Sequence, residues 1–298
     1  MKDTLMILLK LSLVVFMAGN LLDMGLRLNV QDALTGLRNV RFVVLTLLWG
    51  FVLCPALAYA ITLVIPLEYP YATGLILLGM TPCAPFLPAI VDKANGDLGF
   101  TAALMLLAAA GTVAFMPLAV PVMVKGLTVS AWTIAKPLLL VVLLPLAVGM
   151  AIHRASAALT SGIQPFVKKI TLIATIALAV LTVVVYGKGL LGVRGSLAVV
   201  SQVIFFSIVT TLTYWCGFGL QPEQKIVLSA GMATRNIGAA LAPLFSIAEM
   251  DQRAIIMVVL GFPIMIVFGL LSARWFGNPA PTGEAGLAPS VSESGRTS

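Results

Sequence analysis

The sequence predicts an all-α polytopic membrane protein of about nine spanning helices, two of them interrupted. Three observations carry this. Hydrophobic residues make up 60% of the 298 and charged residues 10%, with a mean hydropathy of +1.08, whereas a soluble domain carries about 25% charge. The apolar runs continue from Thr4 to Phe276 with only short polar gaps, and about 20 apolar residues cross the hydrocarbon core once. Two of those runs also hold helix-breaking or charged residues near their centres, where a plain anchor would be uniformly apolar.

In order, the spans read Thr4–Gly25, Asn39–Ile65, Tyr71–Ala94, Leu98–Val124, Ala131–Arg154, Phe166–Tyr186, Ser196–Phe218, Gln224–Ala248 and Arg253–Phe276. The opening MKDTLMILLK belongs to the first span. Asp3 and Lys10 interrupt a signal-peptide pattern, and no small-residue cleavage site follows cleanly. Residues 1–276 form one transmembrane domain with short loops. From Gly277 to Ser298 the chain is rich in Gly, Pro, Ser and Ala without periodicity, which reads as a disordered cytoplasmic tail.

The formal net charge of +7 comes from Lys and Arg at helix ends, where positive charge sets orientation rather than binding nucleic acid. With odd-to-even connections on one side, that side holds Arg27, Arg38, Arg41, Lys93, Arg154, Lys168, Lys169, Lys225, Arg274 and Arg296. The other holds Lys2, Lys10, Lys125, Lys136, Lys188, Arg194 and Arg253. The excess predicts an external N-terminus and a cytoplasmic C-terminus in the cell (inner) membrane.

The third and eighth spans differ from the rest. The third carries Pro82, Pro85 and Pro88; proline removes a backbone donor and clashes with the preceding turn, so three at this spacing predict an unwound middle, or at least a kink. The eighth, within Gln224–Glu249, places Arg235 between Thr234 and Asn236, with Gly231 and Gly238 on either side. A charge at that depth costs from about 3 to more than 10 kcal/mol unless it faces a cavity or a partner. Either Arg235 snorkels or bonds a carbonyl as internal glue, or it marks a working site. A pair of Gly- or Pro-broken helices in corresponding places of two halves points to a secondary transporter's binding site. Their separation of five in span order makes the halves inverted, so the broken helices would cross and aim free N–H and C=O groups at a shared cavity.

Other classes fit less well. The chain has one histidine, His153 beside Arg154, so an HExxH zinc site is impossible. No GxSxG elbow and no carboxylate cluster for magnesium is present. Cys54, Cys83 and Cys216 lie in three separate apolar runs without CxxC spacing, as packing residues do. Gly187, Gly189 and Gly192 satisfy GxGxxG but follow a membrane helix, and read as a flexible loop. A channel would show repeated pore-lining rings; a transporter-derived sensor stays open.

At the two interrupted segments the chain resembles the bile acid:sodium symporter family. The residues are GLILLGMTPCAPFLPAIVDKANGDLGFTAAL, Gly74 to Leu104, with Asn95, Gly96 and Asp97 after the break, and SAGMATRNIGAALA, Ser229 to Ala242, with Gly231 and Met232 before a small-residue run. Weaker similarity extends from Leu13 to Phe276. The resemblance implies a core domain of spans 2–4 and 7–9 with two crossing broken helices, beside a panel of spans 1, 5 and 6. Nine spans fit the form lacking one N-terminal helix. It also implies alternating access by a small organic anion to the crevice between core and panel.

The ligands that the resemblance implies for two sodium ions are mostly missing. At the matched positions stand Leu87 and Pro88, Thr101 and Met105, then Ser229 and Ala233; only Thr101 and Ser229 keep a hydroxyl. A hard cation needs several oxygens, so no cofactor is expected, and sodium could be held only by backbone carbonyls and these two hydroxyls. Arg235 is the candidate to take sodium's electrostatic place and to present positive charge to the solute. With it, Thr234, Asn236, Met232, Ser229, Thr101, Pro82, Cys83, Pro85 and Pro88 form the candidate solute and ion pathway. Asp92 with Lys93, and Asp23 in the first span, read either as solvated helix ends or as proton-titrating carboxylates.

Overall fold

A computed structural model describes residues 2–28, 30–124, 130–193, 195–245 and 251–277. The chain begins with α1 (Lys2–Arg27) and the short α2 (Val30–Arg38), then α3 (Val40–Leu48), which runs through a wide π turn, Trp49–Leu53, into α4 (Cys54–Val64). After α5 (Tyr69–Gly79) comes a break, then α6 (Leu87–Lys93) and α7 (Leu98–Met123). A second π turn, Leu139–Leu143, joins α8 (Ala131–Leu138) to α9 (Leu144–Ala155). There follow α10 (Ala157–Gly192), α11 (Ala198–Trp215), α12 (Pro222–Ala233), a second break, α13 (Ile237–Phe245) and α14 (Gln252–Phe276).

Seven helices among the described residues are long and apolar enough to cross a bilayer: α1, α3–α4, α7, α8–α9, α10, α11 and α14. The other two expected spans fall on α5–α6 and α12–α13. At about 1.5 Å per residue, the 11 residues of α5 and 12 of α12 reach under about 20 Å, so neither half crosses alone.

Local chemistry sets the ends. Asn39, Asp97, Ser130 and Asp251 cap α3, α7, α8 and α14, each accepting a hydrogen bond from a first-turn backbone N–H. Both π turns lead straight into a helix with proline in its first turn, Pro55 and Pro145. Proline supplies no N–H to the ladder, and a widened turn lets the helix axis continue past the lost bond.

Three expectations are corrected. Pro88 does not belong to the first break; it occupies the first turn of α6, where its missing N–H has no intrahelical partner to lose. Gly187, Gly189 and Gly192 are not a loop but the last turns of α10, which also begins at Ala157 rather than Phe166 and carries Pro165 inside. In a nonpolar surrounding a helix that keeps its backbone groups paired continues through such residues where local propensity would end it. Finally α2 was not expected; VQDALTGLR is too polar to span, and it lies against α7 through Gly36 and Ala103. Residues 278–298, expected as a tail, lie outside the described residues, as do residues 246–250 at the end of the eighth expected span.

Two sets of neighbours emerge. Helix α1 lies along α9 and α10. Helix α5 lies along α14 and α4, while α11 packs on α12 and α14. At the loop end of α14, Arg253 pairs with Asp251 (2.6 Å) and with Glu68 before α5.

Candidate functional site

The two breaks meet. At the first, Thr81 to Phe86, the chain leaves the helix and turns at Pro85 and Phe86, and Cys83 takes φ +70, a left-handed conformation that a non-glycine residue adopts only when its surroundings hold it. What holds it is the second break. The Cys83 N–H donates to Gly231 O (3.0 Å) and Thr234 O (2.9 Å), Asn236 N–H donates to Thr81 O (2.9 Å), and Pro82 and Arg235 form an antiparallel bridge. The Ala84 N–H donates to Thr234 Oγ1 (3.2 Å), and that hydroxyl donates to Ala230 O (2.9 Å). Backbone groups freed by two interruptions thus satisfy one another, which a nonpolar environment demands.

Thr234 is therefore both donor and acceptor in the crossing. We expect Thr234→Val to leave the Ala84 N–H unpaired and cost about 1–3 kcal/mol, while Thr234→Ser stays near the parent; thermal unfolding in detergent measures both.

Arg235 is fully buried. Its guanidinium donates from Nη1 to Gly79 O (3.4 Å), a terminal carbonyl of α5, and lies over the Phe205 ring with 5.1 Å between Cζ and the centroid. A cation at a helix C-terminus and over a ring face is favoured electrostatically at both. Cys54 and Cys83 are within electrostatic reach. Neither Nε nor Nη2 has a hydrogen-bond partner, and no carboxylate pairs with the group among the described residues. Its backbone N–H lies 3.3 Å from Met265 Sδ.

On the other side of the crossing lies a crevice against α1 and α10. A cavity of about 120 Å³ is bordered by Asn20, Thr175, Pro85, Asn236, Phe262 and Met265. It adjoins one of about 400 Å³ that shares Asn20, Pro85 and Phe86 with it and reaches Asp23, Arg27, Pro88, Thr101 and Met105. Toward the opposite end it adjoins an apolar cavity of about 190 Å³ that includes Phe16, Leu178, Leu241 and Phe262. Asn236 Oδ1 accepts from Ala239 N–H (3.0 Å), capping α13, whose first turn therefore faces the crevice. Asp23 and Arg27 pair at 2.5 Å, and Gln164 Nε2 lies 3.4 Å from Asp23.

The candidate residues accordingly divide. Pro82, Cys83, Thr234 and Arg235 build the crossing, with Met232 buried behind Pro82 and close to Gly50. Pro85, Pro88, Thr101 and Asn236 border the crevice, and Arg235 reaches its wall from the crossing, although the Thr101 hydroxyl donates to its own helix at Asp97 O (2.8 Å). Ser229 belongs to neither group: its hydroxyl donates to Thr210 O (2.8 Å) and lies 3.2 Å from Ser272 Oγ. Asp92 and Lys93 close α6 and are exposed. Sequence reading missed Asn20, Phe16, Thr175, Arg27, Phe205 and Phe262. Asn20 alone carried a signal, as an amide inside an apolar span.

Known proteins place this arrangement. A family model described as the sodium bile acid symporter family matches residues 13–192, which include the first break, the second half of α1 and all of α10. A curated rice protein (Oryza sativa subsp. japonica), named probable sodium/metabolite cotransporter BASS2, chloroplastic, is 25% identical over 234 residues, 74% of this chain and 54% of its own length. Arabidopsis thaliana probable sodium/metabolite cotransporter BASS3, chloroplastic, is 20% identical over 265 residues, 88% of this chain and 62% of its own. The chain thus spans a little over half the length of these relatives. On the strength of the family match across well over half its sequence, the chain belongs to the sodium bile acid symporter family.

Proposed function

We propose that this chain carries a small organic anion across the membrane by alternating access, with Arg235 as a built-in cation in place of sodium. One observation carries the reading: two broken helices cross at a buried guanidinium and turn Asn236 and the first turn of α13 toward a crevice beside α1 and α10. The packing of α1 with α9 and α10 supports a panel of spans 1, 5 and 6. The contacts of α5, α11, α12 and α14 support a core of spans 2–4 and 7–9, the two forming inverted repeats. Relative movement of panel and core would open the crevice to either side. A cation tied to the backbone neutralises the C-terminal end of α5 throughout the cycle, and because it cannot leave, it cannot carry a sodium gradient's free energy.

The crevice suggests how the solute is read. Asn20, Asn236 and the α13 N–H groups offer polar contacts, the Arg27–Asp23 pair stands at one mouth, and the cavity near Leu178 and Leu241 receives an apolar body. Arg235 borders the crevice, but its guanidinium is engaged with Gly79 and Phe205, so its charge acts chiefly through the crossing. The charge distribution supports a cell-membrane protein with its C-terminus in the cytoplasm.

The test is a thermal-shift screen of steroidal, pantoate-like and keto-acid carboxylates on purified protein, followed by counterflow of the best ligand in liposomes. We expect a stabilising carboxylate, counterflow of it, and rates in sodium and choline buffers that agree within about twofold. Binding without counterflow would favour a sensor. Strong sodium dependence would defeat the fixed-cation reading while leaving a carrier.

A further inference from the structure

We propose that the connection between α11 and α12 is a headgroup site for an anionic phospholipid, held by Arg41 and Lys225. The connection reads Cys216-Gly217-Phe218-Gly219-Leu220. Arg41, at the start of α3, lays its side chain over Gly219 and donates from Nη1 to Gly219 O (3.1 Å). A Cβ built on Gly219, whose φ is +72, would lie 2.1 Å from Arg41 Nη1 and 2.8 Å from its Cζ. Only glycine leaves room for that seat. Lys225 packs in the same way on Gly217, where a Cβ would lie 2.9 Å from Lys225 Cγ. Gly217 and Gly219 are two residues apart, so their Cα atoms lie no more than about 7.6 Å apart, and the two stems reach one short stretch of backbone from separate helices.

The charges brought there are under-used. Apart from its bond to Gly219, the Arg41 side chain has no hydrogen-bond or ion-pair partner among the described residues, and the Lys225 ammonium has none. Arg38, exposed at the end of α2, adds a third cation to exposed Arg41 and half-buried Lys225, against the acids Glu223 at the start of α12 and Asp97 beside Gly96. Beside the cations two rings stand out from the protein: Trp215, at the end of the membrane-length helix α11, is 66% exposed and Phe218 69%. Aromatic rings at the end of a spanning helix sit at headgroup level. Cations spaced to meet a phosphate, next to rings that enter the acyl boundary, fit a lipid better than a soluble phosphate. The site is separate from the crevice and does not depend on the transport reading.

Native mass spectrometry of the full chain, released from detergent with phosphatidylglycerol and phosphatidylcholine of matched acyl chains, tests this. The expected result is preferential retention of phosphatidylglycerol. The Arg41→Gln/Lys225→Gln pair should lower that preference by roughly 25-fold, from about fivefold per basic residue near a membrane surface. Gly219→Ala should lower it too, by unseating Arg41. The pair Arg154→Gln/Lys168→Gln, basic residues away from this connection, should leave it within about twofold. No preference in the parent protein, equal loss in the control pair, or displacement by the deacylated headgroup glycerophosphoglycerol at the lipid's own concentration would each overturn the proposal.

Discussion

Replacing Arg235 by methionine is expected to abolish transport while leaving the protein as stable as the parent or more so. The two effects part because the guanidinium is poorly compensated. It is wholly buried, and among the described residues it makes one long hydrogen bond to Gly79 O, has the Cys54 thiol nearby, and leaves its Nε and Nη2 groups without a hydrogen-bond partner. Each unsatisfied buried donor costs about 1–3 kcal/mol, and well-packed apolar replacements of buried charged groups have been neutral or stabilising by about 1–4 kcal/mol. Met is unbranched and adaptable, so it can fill the space against Phe205 without opening a cavity. Function should respond in the other direction. Without the cation, the C-terminal carbonyls of α5 face an apolar interior, and the crossing loses the charge that sets its geometry beside the crevice.

We expect solute uptake in liposomes to fall about 100-fold or more for Arg235→Met. Arg235→Lys should retain part of the activity, since it keeps the charge and loses the planar fork. A melting temperature far below the parent for Arg235→Met would show the residue to be structural glue. Unchanged uptake would remove it from the mechanism.

Much of the architecture was legible in the sequence because bilayer physics leaves a chain few options. Long apolar runs must be helices, and the break at Thr81 to Phe86 was announced by Pro82 and Pro85, just as the break at Thr234 to Asn236 was announced by a charge where none is tolerated without cause. The misses share a different origin. Gly187, Gly189, Gly192 and Pro165 carry loop-forming propensities that the need to pair backbone groups in a nonpolar surrounding overrides, and α2 is amphipathic but too short to register among spans. At the site, the residues fixed by backbone chemistry were found: Pro82, Cys83, Thr234, Arg235. Those contributed by shape were not. Phe16, Phe205 and Phe262 look like any other membrane-helix phenylalanine until the fold places one under a guanidinium and the others along a crevice. Ser229 shows the converse, a polar residue at a matched position whose hydroxyl is engaged with Thr210 and Ser272 instead.

A second large effect is expected away from the crossing, in the contact that fixes one wall of the crevice. Helices α1 and α9 approach backbone to backbone at Gly25 and Gly149. A Cβ on Gly25 would lie 2.4 Å from Leu146 O and 2.9 Å from Gly149 Cα; one on Gly149 would lie 2.5 Å from Leu22 O and 2.9 Å from Gly25 Cα. The obstructing atoms are all main chain, so no rotamer change relieves the clash and the helices themselves must separate. Close contact of this kind is a principal source of helix association where lipid offers no hydrophobic drive. Overpacking a well-fitted core costs about 1–3 kcal/mol where side chains can yield, and here none can, so Gly149→Val is expected to cost about 3 kcal/mol or more.

A sharp control lies on α10, where a Cβ on Gly162 would meet nothing within 4 Å. Gly162→Ala should be neutral or stabilise by up to about 1 kcal/mol through helix propensity alone. Melting temperatures in one detergent compare the two directly. Because α1 carries Phe16, Asn20, Asp23, Met24 and Arg27 along the crevice, prising it from α9 moves five lining residues at once. Gly149→Val should therefore weaken solute binding even at temperatures where it remains folded. If it binds solute as the parent does while melting lower, the wall that matters for recognition is the crossing alone, and α1 serves only to enclose it.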